Sequence, residues 1–412
     1  MYPLQYTIIG VFDSACKRNT VKGETKMKRS TSGSIVFVLV LLSFMTVPVL
    51  ATDTNLAVPY YQQENDYYCG PAVAQMWTDY HSNLVSQDTL YTFIQDHNIE
   101  SGWATDPQGL ENSAENYVPN LIADDHKWSS ADTAIMGQAV DIVNRGIPSA
   151  SLINEGGHWN LMKGVSYTLY GGQIYQINGV WIQDPWYTMS ANIYYAVNSW
   201  KTEFTQLDIP SSTWDNYWVT VQGYWGSRSG KPDYDKETEN IRFMDESEVS
   251  TPITAETDLA GFASEQMNKQ NLFQDELKGS TPGKIVLVHS LNKNYPDYYL
   301  IPFEKNGVPV VVSKITVKGD MAVFSACAAL EKTVTSIIKP DLEEAKKVLA
   351  DAGYGDSGNA RLVWKPCEQT MSEFMPVWEF STDVNETKYV GYNQFTQKVM
   401  VYDELTPKKL MG

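Results

Sequence analysis

Four residues between positions 63 and 184 have the types needed to attack an amide bond. Cys69 stands in Tyr-Tyr-Cys-Gly-Pro-Ala, directly ahead of a run that reads as a helix from Pro71. Proline suits the first turn of a helix because its missing N–H is not needed there. A thiol at that end meets the positive pole of the helix, a place that favours the nucleophilic thiolate. The first N–H groups of a helix have no acceptor within it, so the Cys69 N–H can point at a developing oxyanion. Gln63, six residues earlier, offers a side-chain amide as a second oxyanion donor, with its neighbour Gln62 as the alternative. His158 follows Gly156-Gly157 and opens the apolar run Trp159 to Val165, where an imidazole can reach a cleft as general base. Asp184 ends IYQINGVWIQ and precedes Pro185-Trp186. A carboxylate there can hold the imidazole in one tautomer. Each residue alone has a plainer explanation. Cysteine is often a small buried apolar residue, and Asp before Pro commonly opens a turn. The order Gln, Cys, His, Asp, each at an element boundary, is what gives the set weight.

The elements that must hold these residues follow from periodicity. Apolar residues at helical spacing predict helices over 71–80, 87–96, 108–117 and 132–144, the last stopped by Gly146 and Pro148. Strands are predicted over 149–153, 158–167 and 173–183, the last two joined by a Gly171-Gly172 turn. Helices first and a hairpin-rich sheet after them make an α+β order.

The chain has 412 residues and a formal net charge of -18. That size allows two or three domains. That charge repels phosphate backbones and argues against nucleic acid as a partner. Lys28-Arg29, the apolar run 35–50 and Val49-Leu50-Ala51 have the three parts of a secretory signal. Residues 1–51 are therefore read as a signal peptide or a retained N-terminal anchor, with Met27 as an alternative start that would leave 1–26 untranslated. Membrane anchoring would then run through residues 35–50. Of the four cysteines, Cys16 lies in that segment, and Cys327 and Cys367 lie far along the chain, where a disulfide between them is open. Their spacing resembles no zinc site, and no metal or cofactor is expected.

VPYYQQENDYYCGPA, GGHWNLMKGV and VWIQDPW together resemble the papain-like peptidases that process double-glycine leaders of bacteriocins, and their secreted relatives. GWATDPQGLENSAENY is similar to the segment those proteins carry ahead of their sheet. The resemblance covers roughly residues 56–190. It implies a papain-like fold with Gln63 in the oxyanion hole, Cys69 as nucleophile, His158 as base and Asp184 as its orienter. No transporter helices or P-loop follow, so the implied substrate is a peptide or protein outside the cytoplasm.

The expected organisation is a papain-like domain over 52–226, a polar linker over 227–260 and a smaller α+β domain over 261–412. In the last, strands are predicted over 284–289, 298–303, 308–317, 377–382, 388–392 and 398–403, and helices over 262–277 and 342–352. Its ending weakly resembles PepSY-type modules of secreted peptidases, which implies a regulatory or binding role toward the catalytic domain or a surface partner. The function expected is an exported cysteine peptidase. The alternatives are an acyl transferase or amidase on the same residues, and an inactive binding or adhesion module.

Overall fold

The first helices begin where a short polar side chain can cap them. In the computed structural model, which describes residues 52–407, Ser86 accepts from the Thr89 N–H ahead of α2 (Gln87–His97). Asp106 accepts from the Gly109 N–H ahead of α3 (Pro107–Tyr117), and Ser130 from the Thr133 N–H ahead of α4 (Ala131–Val140). Such caps satisfy donors that the helix itself cannot. The helix that starts at the cysteine, α1 (Cys69–Tyr80), is different: Tyr68 precedes it and no side chain caps it. It begins two residues earlier than periodicity predicts, so Cys69 is its first residue rather than a flanking one.

The strands run β1 (Thr52–Asn55), β2 (Leu121–Trp128), β3 (Ser149–Ile153), β4 (His158–Tyr170), β5 (Gln173–Gln183), β6 (Ile193–Ala196) and β7 (Trp218–Trp225). They pair antiparallel in the order β2-β7-β3-β4-β5-β6, with β1 continuing the β3 edge of β4. Between β6 and β7 lies α5 (Val197–Glu203). One apolar cluster fills the space between α1, α2, α3 and the sheet, with Trp77, Trp159 and Trp214 fully buried in it.

The polar stretch expected as a linker is built into the molecule. It contains α6 (Tyr234–Thr238), β8 (Arg242–Phe243), which pairs with β5, and β9 (Ser250–Pro252). A few widely spaced residues pin it: Tyr234, Ile241, Met244 and Val249 are buried, and the Tyr234 hydroxyl donates to Asp141 Oδ2 at 2.8 Å. Sparse anchors of this kind leave no periodic pattern in the sequence.

The remainder holds α7 (Leu259–Lys269), α8 (Gln274–Leu277), β10 (Thr281–Pro282), β11 (Val286–Ser290), β12 (Tyr298–Lys305), β13 (Val308–Lys318) and β14 (Met321–Ala329). Then come α9 (Leu342–Asp351), β15 (Asp356–Trp364), β16 (Val377–Thr382), β17 (Thr387–Asn393) and β18 (Lys398–Tyr402). The helix expected over 262–277 is broken: Asn271 and Phe273 adopt φ of 56° and 50°, which buries Leu272 and sets the Phe273 ring 5.4 Å from that of Trp181. No break in the sheet marks the expected division between the halves. β14 pairs with β6 at Ala326–Tyr195, and β9 pairs with β14. A single apolar cluster runs from Ala131 to Phe374 across both. Cys327 and Cys367 are both buried free thiols, so no disulfide joins them. The predicted signal or anchor segment and Cys16 lie outside the described residues. Among the described residues, no helix is long and apolar enough to cross a membrane.

Candidate active site

β4 begins and β5 ends at the same place. The register pairs Leu161 with Gln183, so Asp184 comes just past the end of β5, level with the start of β4. His158 Nε2 lies 2.8 Å from Asp184 Oδ1, and both side chains are buried. The Trp186 N–H donates to the same oxygen at 2.8 Å. Asn160 shares a face of β4 with His158, because side chains alternate along a strand. With its amide nitrogen turned toward Asp184, it donates to Oδ1 at 3.2 Å and to the Trp159 carbonyl at 3.1 Å. Three donors therefore converge on one carboxylate oxygen. Nε2 then carries the ring proton, and Nδ1 is the basic nitrogen.

The chain enters β4 through a turn that few residues allow. Asn154, Glu155 and Gly156 all have positive φ, and a Cβ on Gly156 would lie 2.3 Å from Leu207 Cδ1. His158 thus starts its strand straight out of a tight corner, paired with Ile153.

Cys69 reaches this corner through the neighbour that follows it. A Cβ on Gly70 would lie 2.3–2.4 Å from three side-chain atoms of Thr105, so only glycine lets α1 approach that closely. Thr105 is buried, and its carbonyl accepts from Trp159 Nε1 at 3.1 Å. The contact chain runs from Cys69-Gly70 through Thr105 to Trp159-His158. It seats the uncapped start of α1 against the start of β4.

Of the two candidate glutamines, Gln62 is exposed and Gln63 is buried. The Gln63 backbone N–H donates to the Pro185 carbonyl at 3.1 Å, which ties its loop to the residue after Asp184. Its Nε2 donates to the Asn65 carbonyl at 2.7 Å, which leaves one amide hydrogen for another acceptor. Tyr60 adds a second tie, its hydroxyl donating to the carbonyls of Asp184 at 3.2 Å and Tyr187 at 3.0 Å. Burial, then the Asp184 carboxylate, pushes the Tyr60 phenol well above its ordinary value, so it remains a donor.

The loop after Asp184 is braced from the C-terminal half. Trp186 packs edge-on against Phe395 with ring centroids 5.2 Å apart, and Tyr187 lies 5.3 Å from Phe374. The Glu331 N–H donates to the Met189 carbonyl at 2.8 Å. Asn160, Thr105 and Trp186 were not singled out from sequence, and Tyr60, expected with its neighbouring tyrosines as an aromatic wall near the cleft, acts through its hydroxyl. Of the first three, only Asn160 carried a signal, its period-two relation to His158. Among the described residues, no cluster of three or more His, Cys, Asp or Glu side chains could hold a metal ion.

Residues 55–217 match the model of the Peptidase_C39 like family. That region is C39-like. It takes in Gln63, Cys69, His158 and Asp184 and makes up about two fifths of the chain. The C39-like region has the papain-like, mixed α and β fold of a cysteine peptidase. A solved structure described as a double glycine motif protease from an AMS/PCAT transporter, in complex with the leader peptide, is similar at 14% identity and a TM-score of 0.28. The similarity spans 42% of this chain and 94% of that one. No curated protein matches the sequence.

Proposed function

We propose that this chain is an exported cysteine peptidase that hydrolyses peptide bonds through Cys69, His158 and Asp184. The observation that carries the reading is the buried His158–Asp184 pair at 2.8 Å, set at the strand start against which the uncapped first turn of α1 is seated. His158 Nδ1 takes the Cys69 thiol proton. The thiolate sulfur attacks the substrate carbonyl carbon and forms a C–S bond, and the electron pair moves to oxygen. The Cys69 N–H and the second Gln63 amide hydrogen donate to that oxyanion. His158 returns its proton to the leaving amine as the C–N bond breaks. Water, losing a proton to His158, then cleaves the thioester. Asp184 holds the ring in position.

Export rests on the apolar run 35–50 behind Lys28-Arg29, and it places the peptide or protein substrate outside the cytoplasm. The C-terminal half acts on the catalytic loop as a regulatory or binding module. Its Phe395 and Phe374 against Trp186 and Tyr187 support that role.

The reading is tested by alkylating the purified chain with iodoacetamide at about pH 6 and locating the label by mass spectrometry. Cys69 is expected to label in the wild type and roughly tenfold more slowly in His158→Ala. A peptide library should be cleaved by the wild type and untouched by Cys69→Ala. Equal labelling in both proteins, or cleavage that survives Cys69→Ala, sinks the proposal.

A further inference from the structure

The β4–β5 hairpin has a second end. Its strands meet the His158–Asp184 pair at one end and turn at Gly171-Gly172 at the other. At about 3.3 Å per residue the two ends are roughly 35–40 Å apart. Beside the turn lies a cavity of about 380 Å³ between the hairpin, β8 and the C-terminal end of α7. No role described so far uses it.

Its lining combines two chemistries. Tyr170 is 78% exposed, and its ring centroid stands 5.8 Å from that of Tyr175. The Arg242 guanidinium lies 4.2 Å over the Tyr175 ring and fixes that ring in place. The rings are therefore an aromatic wall open to solvent, next to polar groups that are buried. Asn178, Gln266 and Gln270 all line the cavity and are all at least nine-tenths buried. A buried amide is costly unless its donors and acceptors are matched. Gln270 is half matched. Its Oε1 accepts from the Tyr194 hydroxyl, while its buried Nε2 has no acceptor among the described residues. Asn178 Oδ1 accepts from Gln176 Nε2 at 2.9 Å.

The ligand class follows by elimination. An added peptide strand needs an open sheet edge, but the β5 edge at Gln176–Ile177 is already paired with β8. An anion needs cations free to fork onto it. Arg242 lies flat over the Tyr175 ring, Lys269 is paired with Glu265 at 2.7 Å, and the Glu248 carboxylate in the lining repels an anion. Carboxamides offer a donor and an acceptor on one planar group, which suits neighbouring hydroxyls that both give and accept. Tyrosine rings offer an apolar face to the C–H side of a sugar ring, with a polar tip at the rim.

We propose that this cavity is a saccharide-binding site that takes one or two pyranose rings of a neutral sugar, with a ring stacked on Tyr170 and hydroxyls held by Asn178, Gln266 and Gln270. The volume is at the lower end of small-molecule sites, as a ligand of that size requires. The site is independent of the cysteine chemistry and would serve to hold the molecule on glycan-bearing material.

The test is titration calorimetry of the full chain with the trimer of N-acetylglucosamine, maltotriose and xylotriose, each up to about 10 mM. At least one is expected to bind. Tyr170→Ala, at an exposed position that leaves the core untouched, should weaken it roughly tenfold, and Tyr170→Phe should bind as the wild type does. Cys69→Ala should bind unchanged, which separates this site from the peptidase reading. Failure of all three sugars, wild-type binding by Tyr170→Ala, or displacement of the sugar by inorganic phosphate overturns the proposal.

Discussion

Asp184 Oδ1 gathers three donors, and their unequal chemistry sets the expected hierarchy of losses. In the proposed mechanism His158 is the reacting partner, whereas Trp186 and Asn160 only hold the oxygen in place. Asp184→Asn keeps the shape but can present N–H to Nε2, which favours the wrong tautomer. It is expected to lower kcat by about 100- to 10,000-fold. Asn160→Ala removes one orienting bond and should cost roughly tenfold in kcat with little change in KM. Gln63→Ala removes the proposed oxyanion donor and should cost about 100- to 1000-fold. Steady-state kinetics on one peptide substrate ranks the three. Equal losses at Asn160 and Asp184 would contradict the division into holder and orienter. Three of the four proposed catalytic residues stood out in the sequence because Cys69, His158 and Asp184 sit at element boundaries with a distinctive neighbour, such as Gly-Pro after Cys69 or Pro after Asp184, whereas Gln63 lies within the loop ahead of α1. Their supports did not stand out, since Thr105 and Tyr60 act through backbone carbonyls and a close approach that no local pattern encodes.

At the scale of elements, the decisive contact is that between Gly70 and Thr105. Any side chain at position 70 drives the start of α1 away from the segment that carries Trp159 and His158. Gly70→Ala is expected to destabilise the protein by about 1–3 kcal/mol and to lower kcat. The double variant Gly70→Ala, Thr105→Ala makes room and should recover part of both losses, a coupling that thermal melts and kinetics read together. Strongly patterned elements were readable, and β3 and β5 fall where their alternation predicts. β14 was missed because Ala, Ser and Cys dominate it and carry a weak strand signal. Only its pairing with β13 and β6 makes it a central strand.

At the scale of the whole molecule, the two halves share a buried ionic cluster. Lys314 of β13 reaches Glu203 of α5 at 3.0 Å and Glu373 at 3.3 Å, with the Tyr298 ring 5.0 Å away. Burial, then the Glu373 carboxylate, pushes Glu203 from 4.5 up to about 7, while Lys314 pulls the other way. A carboxyl raised in the folded state holds its proton where the unfolded chain releases it. Its contribution to stability is full below pH 4.5 and is lost as pH rises through about 7. Tm is therefore expected to fall across that window, and Glu203→Gln should flatten the fall. Lys314→Met leaves two buried carboxyls without their cation and should cost about 3–5 kcal/mol. Deleting residues 258–412 would strip β14 from β6 and uncover the shared core. An insoluble product is expected, rather than a freed enzyme; a soluble, folded 52–257 fragment by circular dichroism would count against this view.

Local chemistry reaches only as far as the chain is contiguous, and that limit divides what sequence determined from what it could not. Helix caps, the Gly171-Gly172 turn, the period of β4 and β5 and the proposed nucleophile at a helix start all depend on residues within a few positions of one another. Sequence by itself determined them, and with them the C39-like character of residues 55–217. The 2.8 Å approach of His158 to Asp184 joins residues that lie 26 apart, and the Lys314–Glu203 contact joins residues 111 apart. The seating of 227–260 on the sheet rests on single buried side chains such as Tyr234. Contacts of that separation depend on how sheets pair and pack, so only the tertiary structure decided them.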